Sequence, residues 1–151
     1  MPIAKNEDGI AAIMGHEVAH ALANHGQQRM SASQLQQFGA LAGNIALSKK
    51  EENQKIFNTA YGVGTQVGLL LPFSRKHESE ADKIGLTLMI LAGYNPNEAI
   101  KLWQRMKTHA NGSSPPEFLS THPSYDTRID NIKTWIAEAK REAQEVIIKT
   151  Q

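Results

Sequence analysis

Cysteine is absent from this 151-residue chain. That removes disulfides and cysteine-ligated zinc, so any metal held by side chains must use His, Asp or Glu. Long apolar runs are absent too. Leu69-Leu70-Leu71-Pro72-Phe73 is the greasiest stretch, far short of the roughly 18 apolar residues that argue for a membrane-spanning helix. Met1-Pro2-Ile3-Ala4-Lys5 holds no apolar core of signal-peptide length, so the chain as written reads as soluble. An excess of one charge is also missing. Lys and Arg number 16 against 15 Asp and Glu, a net +1, which gives no electrostatic case for nucleic acid or an anionic membrane. No segment alternates with the period of two that a half-buried strand requires, and no internal repeat is visible. What remains is 40% hydrophobic residues in helical patterns. That is enough to build a core, and the expectation is one mainly α domain over residues 1–151.

The stretch His16-Glu17-Val18-Ala19-His20 carries the chemistry. On a helix, residues i and i+4 lie on one face a turn apart. His16 and His20 can therefore offer two imidazole nitrogens to one ion. Glu17 sits about 100° further round, near enough to act as a base beside the ion without ligating it. Two ligands, a base and an open coordination position make a hydrolytic zinc site. A chance HExxH on a surface helix would be only a solvated polar stripe. Here Ile10, Ile13, Met14, Val18 and Leu22 surround the motif, so the helix reads as buried on most sides, and buried polar groups need partners.

Asn6 is a good N-cap for this helix, with Glu7 and Asp8 in the first turn. The helix is expected to run to about His25 and stop at Gly26. His25 lies about 180° from His16 on the helical wheel and is expected to face away. Residues 27–73 read as a helical hairpin flanking the site. Phe38, Leu41 and Ile45 form a stripe on one arm and Ile56, Phe57, Ala60, Val63 and Val67 on the other, with Lys49-Lys50-Glu51-Glu52-Asn53 at the turn. Gly39 and Gly43, and Gly62, Gly64 and Gly68, suit close helix contact. Ser74 is expected to open the next helix, which Gly93 closes. Asn95-Pro96 starts another, to about Thr108, with Ala99, Leu102, Trp103 and Met106 inward. Asn111 to Pro116 reads as a loop. A last helix from about Ser124 to Ile148 turns Ile129, Ile132, Ile136 and Ala139 to the core.

Two histidines do not complete a hydrolytic zinc site, so a third protein ligand is expected. The Gly-x-x-His extension that some HExxH proteases use is missing, with Ala23 and Gly26 in its place. The acidic run offers Glu78, Glu80 and Asp82. Glu78 and Asp82 share a helix face while Glu80 points roughly the other way. One carboxylate could bind the metal while its neighbour accepts a ligand imidazole N–H.

Three ordered motifs carry a family resemblance. They are His16-Glu17-x-x-His20, Ser74-Arg75-x-x-Glu78-x-x-Ala81-Asp82-x-x-Gly85, and Thr121-His122-Pro123-x-x-x-x-Arg128-Ile129. Together, over about Asn6 to Ile132, they resemble the HtpX-type, OMA-type and CAAX-protease zinc metallopeptidases of family M48. The resemblance implies a zincin-like helical core and Glu78 as third zinc ligand beside His16 and His20. It implies Asp82 as the partner of a ligand histidine, Arg128 as structural support, and His122 facing the metal, as carbonyl polariser or as zinc cap. It implies a zinc endopeptidase acting on unfolded or extended polypeptide in protein quality control, membrane-associated or periplasmic in its full-length form.

One departure stands out. Family catalytic domains carry a β-hairpin before the HExxH helix, and its edge strand receives the substrate backbone. This chain starts about where that hairpin should end. The expectations are a core with the hairpin largely absent, an uncovered apolar helix that favours self-association, and membrane association through the missing N-terminal parts. The rival reading is a zinc-binding chaperone-like or assembly module with little or no proteolysis. The presence of Glu17 speaks against it and the missing front for it.

Overall fold

The structure is a computed structural model, which describes residues 3–111 and 116–150 apart from the Phe118 side chain. The chain is mainly α, as its periodicity predicts, and no strand occurs among the described residues. The helices are α1 (Glu7–Leu22), α2 (His25–Ala46), α3 (Glu51–Thr65), α4 (Leu71–Leu91), α5 (Asn97–His109) and α6 (Tyr125–Thr150), with a short 3₁₀ turn at Glu117–Leu119. Most of the loop expected between Asn111 and Pro116 lies outside the described residues. No described helix is long and apolar enough to cross a membrane.

Asn6 caps α1 as its sequence predicts, its Oδ1 accepting from Gly9 N at 2.9 Å. The packing of α1 overturns the expectation of burial on most sides. Its buried residues are Gly9, Ala12, Gly15 and Ala19. Ile10, Ile13, Met14, Val18 and Leu22 are exposed, Leu22 by 62%. The reason is a backbone-to-backbone approach between α1 and α4. A Cβ added at Gly15 would lie 2.8 Å from the Gly85 carbonyl oxygen, and one at Gly85 would lie 3.0 Å from His16 N. Only small residues fit the inward stripe, so the large apolar ones turn outward.

α4 is the central element. It packs against α1 on one side and α6 on another, while α5 lies against α1 and α6. The core joins Ala12 of α1, Leu86 and Met89 of α4, Ala99 and Leu102 of α5, and Ile132 and Ala139 of α6. α4 ends as predicted, with Gly93 in the left-handed region at φ 83. Asn95 Oδ1 accepts from Asn97 N at 3.1 Å, capping α5.

Two boundaries differ from the sequence reading. α1 stops at Leu22 because Asn24 adopts φ 55, a conformation that Asn tolerates better than most residues. His25 therefore opens α2 instead of ending α1. Further on, no helix starts at Ser74. The chain stays helical from Glu51 to Leu91 through a π turn at Gln66–Leu70, where Leu71 N donates to Gln66 O. Pro72 has no N–H and would clash with the carbonyl four residues back. A π turn just before it widens the helix and absorbs that conflict.

α2 and α3 pair as a hairpin. Asn44 and Asn58 exchange amide bonds of 2.7 and 2.9 Å, and Tyr61 donates to Gln36 O at 3.1 Å. A Cβ at Gly39 or Gly43 would overlap Tyr61 or Phe57, whereas Gly62, Gly64 and Gly68 face open space. Beyond His25 neither arm buries a residue.

Two predictions follow from this packing. Gly15→Ala should separate α1 from α4 and cost about 1–3 kcal/mol in a urea titration, the usual penalty for overpacking. Gly64→Ala, in open helix, should stabilise by up to about 1 kcal/mol. Buried Glu98 accepts from Arg105 Nη1 at 2.7 Å, and Arg105 also holds Ile3 O through Nε at 2.6 Å. Burial pushes the Glu98 carboxyl up, but the bonds from Arg105 and Lys101 outweigh it and hold it below its ordinary value. A lowered folded-state pKa gives stability above the unfolded value of about 4.3, lost as pH falls through the folded value. Glu98→Gln should cost about 2 kcal/mol at pH 7, and its urea midpoint should converge with wild type only as pH falls through the lowered folded-state value.

Candidate metal centre

α1 turns His16 and His20 toward α4, and α4 turns buried Glu78 and Asp82, also a turn apart, toward α1. The Gly15–Gly85 contact between them sets the distance. His16 Nε2 lies 3.1 Å from His20 Nε2. Glu78 reaches both, with Oε2 3.4 Å from His16 Nε2 and Oε1 3.4 Å from His20 Nε2. Two imidazole lone pairs facing each other at that distance repel unless a proton or cation lies between them. Ligand atoms around a tetrahedral ion with bonds of ~2.0–2.1 Å are separated by about 3.3–3.4 Å. The His16, His20 and Glu78 group fits such an ion.

The surrounding bonds fix the orientation of His16. Its Nδ1 lies 2.9 Å from Asp82 Oδ1. A carboxylate only accepts, so Nδ1 carries a proton, and Nε2 is the nitrogen that faces the centre. Asp82 is clamped in turn by Arg128, through Nε to Oδ2 at 2.7 Å and Nη2 to Oδ1 at 2.6 Å. The Arg128 guanidinium lies 3.5 Å from the centroid of the Trp103 ring, a cation–π contact that compensates its burial.

The electrostatics follow these contacts. Burial would push the Glu78 carboxyl up, but bonds with His16 and His122 bring it down to about 2, so it stays anionic. Burial would lower His16, yet Asp82 and Glu78 raise it to about 9. His20 is lowered by burial and by the neighbouring charge of His16. A second proton on His16, at Nε2, would lie between the two facing nitrogens, the position where a cation is favoured.

His122 arrives from the segment before α6. Its Nδ1 is 2.9 Å from Glu78 Oε2, and its side chain is 57% exposed. That segment is held by residues the sequence reading left without a role. Arg75 donates through Nη1 to Glu117 O at 3.1 Å and Ser120 O at 3.0 Å. The Glu117 carboxylate accepts from Thr127 Oγ1 at 2.7 Å and Ser124 N at 3.1 Å. Glu17 is exposed and lies with His16, Glu78 and His122 on the wall of a cavity of about 500 Å³. The cavity's depth is apolar, reaching Leu86, Met89, Leu102 and Ile132.

One placement corrects the sequence reading. His25 does not face away. With α1 broken at Asn24, its Nδ1 comes within 2.9 Å of His20 Nδ1. The helical wheel was the wrong ruler, because the two residues belong to different helices. The available signal in the sequence was Asn24, a residue type that tolerates the left-handed conformation and so can end a helix. Glu80 stands apart from the centre, half exposed, with Oε2 3.5 Å from His25 Nε2.

The model of peptidase family M48 matches residues 1–136. The chain belongs to that family. Among its M48 relatives, the mitochondrial metalloendopeptidase OMA1 of Schizosaccharomyces pombe is 38% identical over 99% of this chain and 43% of that protein. The protein of the same name from Saccharomyces cerevisiae is 35% identical over 92% of this chain and 39% of its own length. The beta-barrel assembly-enhancing protease of Escherichia coli K12 is 30% identical over 82% of this chain and 26% of that protein. The chain therefore spans about two fifths of the yeast relatives it matches. No solved structure matches it. M48 membership implies a metal cofactor.

The choice between acidic residues is testable. Glu78→Gln should lower metal affinity by at least about tenfold, the scale on which even outer partners act. Glu80→Gln should stay within about threefold of wild type. Metal content after dialysis against a chelator series measures both, and equal losses would point to the wrong carboxylate.

Proposed function

We propose that the chain is the catalytic domain of a zinc-dependent endopeptidase that cuts unfolded or extended polypeptides. The observation that carries the reading is the convergence of the His16 and His20 Nε2 atoms with both Glu78 oxygens at 3.1–3.4 Å. Two imidazoles and a carboxylate are the donor set of catalytic zinc sites, whereas structural zinc sites are closed and usually rich in cysteine. In this reading residues 1–151 form one domain, with residues 27–73 as a hairpin insertion beside the site.

His16, His20 and Glu78 would hold the zinc, which supplies Lewis acidity to a carbonyl or water oxygen. Glu17 removes the proton of the attacking water and delivers it to the leaving amine as general base and then acid. Its exposed position on the cavity wall leaves room for both partners. Asp82 keeps His16 in the productive tautomer, and Arg128 keeps Asp82 in place. His122 stands beside Glu78 on a loop secured by Arg75, and donates to the developing oxyanion. One such donor is typically worth about 3 kcal/mol. The apolar depth of the cavity suits a bulky apolar side chain of the substrate. The exposed apolar residues of α1 would favour self-association or a covering partner.

Glu17→Gln tests this reading. The variant should keep its zinc and its fold by circular dichroism while losing cleavage of unfolded casein by at least about 100-fold, the lower range of general acid–base contributions. Loss of zinc would remove Glu17 from its role as base. A wild type that binds zinc yet leaves casein intact, and suppresses its aggregation instead, would favour a chaperone-like module.

A further inference from the structure

The two histidines of the centre are oriented by different chemistry. His16 leans on Asp82, as described. His20 has no carboxylate behind it. Its Nδ1 lies instead 2.9 Å from Nδ1 of His25, whose side chain is 2% exposed. His25 is itself fixed. Its ring stacks on His77, with centroids 4.2 Å apart and planes at 10°. His77 is held by Gln28 Oε1, 3.0 Å from its Nε2, and by the Phe73 ring at 4.1 Å. The left-handed turn at Asn24 is what swings His25 into this place.

We propose that His25 is the positioning residue for His20, accepting its Nδ1–H and so fixing the tautomer that turns Nε2 toward the metal. The proposal rests on the metal-centre reading above. The proton assignment follows from counting. An N–H···N bond needs one donor and one acceptor. If His20 presents a lone pair at Nε2, its proton sits on Nδ1. His25 Nδ1 must then be bare and its own proton must sit on Nε2. That nitrogen faces Glu80 Oε2 at 3.5 Å, a neighbour that matches an N–H and repels a lone pair. The contact is too loose or too bent to count as a hydrogen bond, so Glu80 biases the ring without anchoring it. A neutral imidazole also suits this position electrostatically. Glu78 and Asp82 already place two buried carboxylates at the centre, and a third charge would have to be desolvated as well.

Two substitutions separate positioning from packing. His25→Asn retains an acceptor oxygen near the place of Nδ1 but removes the ring that stacks on His77. His25→Phe retains a ring for the stack but removes the acceptor. Zinc affinity of the chain, measured by competition with a chromogenic chelator, is the first readout. His25→Phe should bind zinc about 10–100-fold more weakly, the usual cost of losing an outer hydrogen-bond partner, while His25→Asn stays within about threefold. Phe at wild-type affinity, or Asn as weak as Phe, overturns the proposal, since either result makes His25 a packing residue. The second readout needs no variant. Long-range ¹H–¹⁵N correlation spectra of the zinc-loaded chain should show His20 protonated at Nδ1 and His25 at Nε2. His25 protonated at Nδ1 overturns it. A wild-type chain that binds no zinc overturns the metal-centre reading together with this one, whereas tight zinc binding with an unaffected Phe variant removes this one alone.

Discussion

The centre depends on how closely two backbones can approach. His16 and His20 sit on α1, Glu78 and Asp82 on α4, and the helices meet where Gly15 faces Gly85. A methyl group at either position would meet backbone atoms, which cannot rotate away as a side chain tip can. Functional groups must be held to within about 0.5 Å to act together, and separating the helices would spoil every ligand distance at once. The same contact dictates the composition of α1. Its inward stripe is Gly9, Ala12, Gly15 and Ala19, and its larger apolar residues have nowhere to go but outward.

Around that contact the buried charges are ordered in layers. Arg128 is 4% exposed and neutralises Asp82 with two bonds, while Trp103 covers its outer face. Asp82 in turn polarises His16. Burying ions is costly unless every group finds partners, and each member of this chain finds at least one. The second charged arrangement, Arg105 with Glu98 and the Ile3 carbonyl, ties the segment before α1 to α5. It secures the other end of the same helix. A third, Arg75 with the Glu117 and Ser120 carbonyls, fixes the approach of His122. Arginine serves in all three because its planar fork reaches several acceptors at once.

What the sequence revealed and what it hid divide along a physical line. The i, i+4 spacing made His16 and His20 legible as a pair, and the same spacing put Glu78 and Asp82 on one face, away from Glu80. The order of α4, α5 and α6 and their inward residues, such as Leu102, Ile129 and Ile132, were also legible, because periodicity records which side is buried. Periodicity fails where backbone geometry decides. On α1 the large apolar residues pointed to burial, but glycine and alanine were the true contact surface. At Asn24 a single left-handed residue split one expected helix into two and carried His25 into the site. At Gln66–Leu70 a π turn ran α3 on into α4, so no new helix opened at Ser74 as the sequence had suggested. Arg75 and Glu117 were hidden for another reason. Arg75 bonds backbone carbonyls 42 and 45 residues away and Glu117 a hydroxyl and an N–H at the start of α6, and no helical periodicity encodes such partners.

The core itself explains why these polar ties matter. Of the buried apolar residues among those described, Ala4, Ala12, Ala19, Ala81, Ala99, Ala139 and Ala143 outnumber Leu71, Leu86, Met89, Leu102, Ile129 and Ile132. Alanine removes little apolar area from water, and hydrophobic stabilisation scales with that area. A fold built on close helix contacts gains correspondingly less from burial and relies more on its fixed polar network. That network converges on two imidazole nitrogens 3.1 Å apart, where Asp82 and Glu78 favour a positive charge on His16. A divalent ion there would take the place of a bridging proton and satisfy Glu78 as well. The atoms that could hold it belong to α1 and α4, whose contact defines the fold, and no such arrangement persists in an unfolded chain. Metal bound at this centre would therefore also contribute folding free energy, and the interaction that would enable the chemistry would also help to hold the two central helices together.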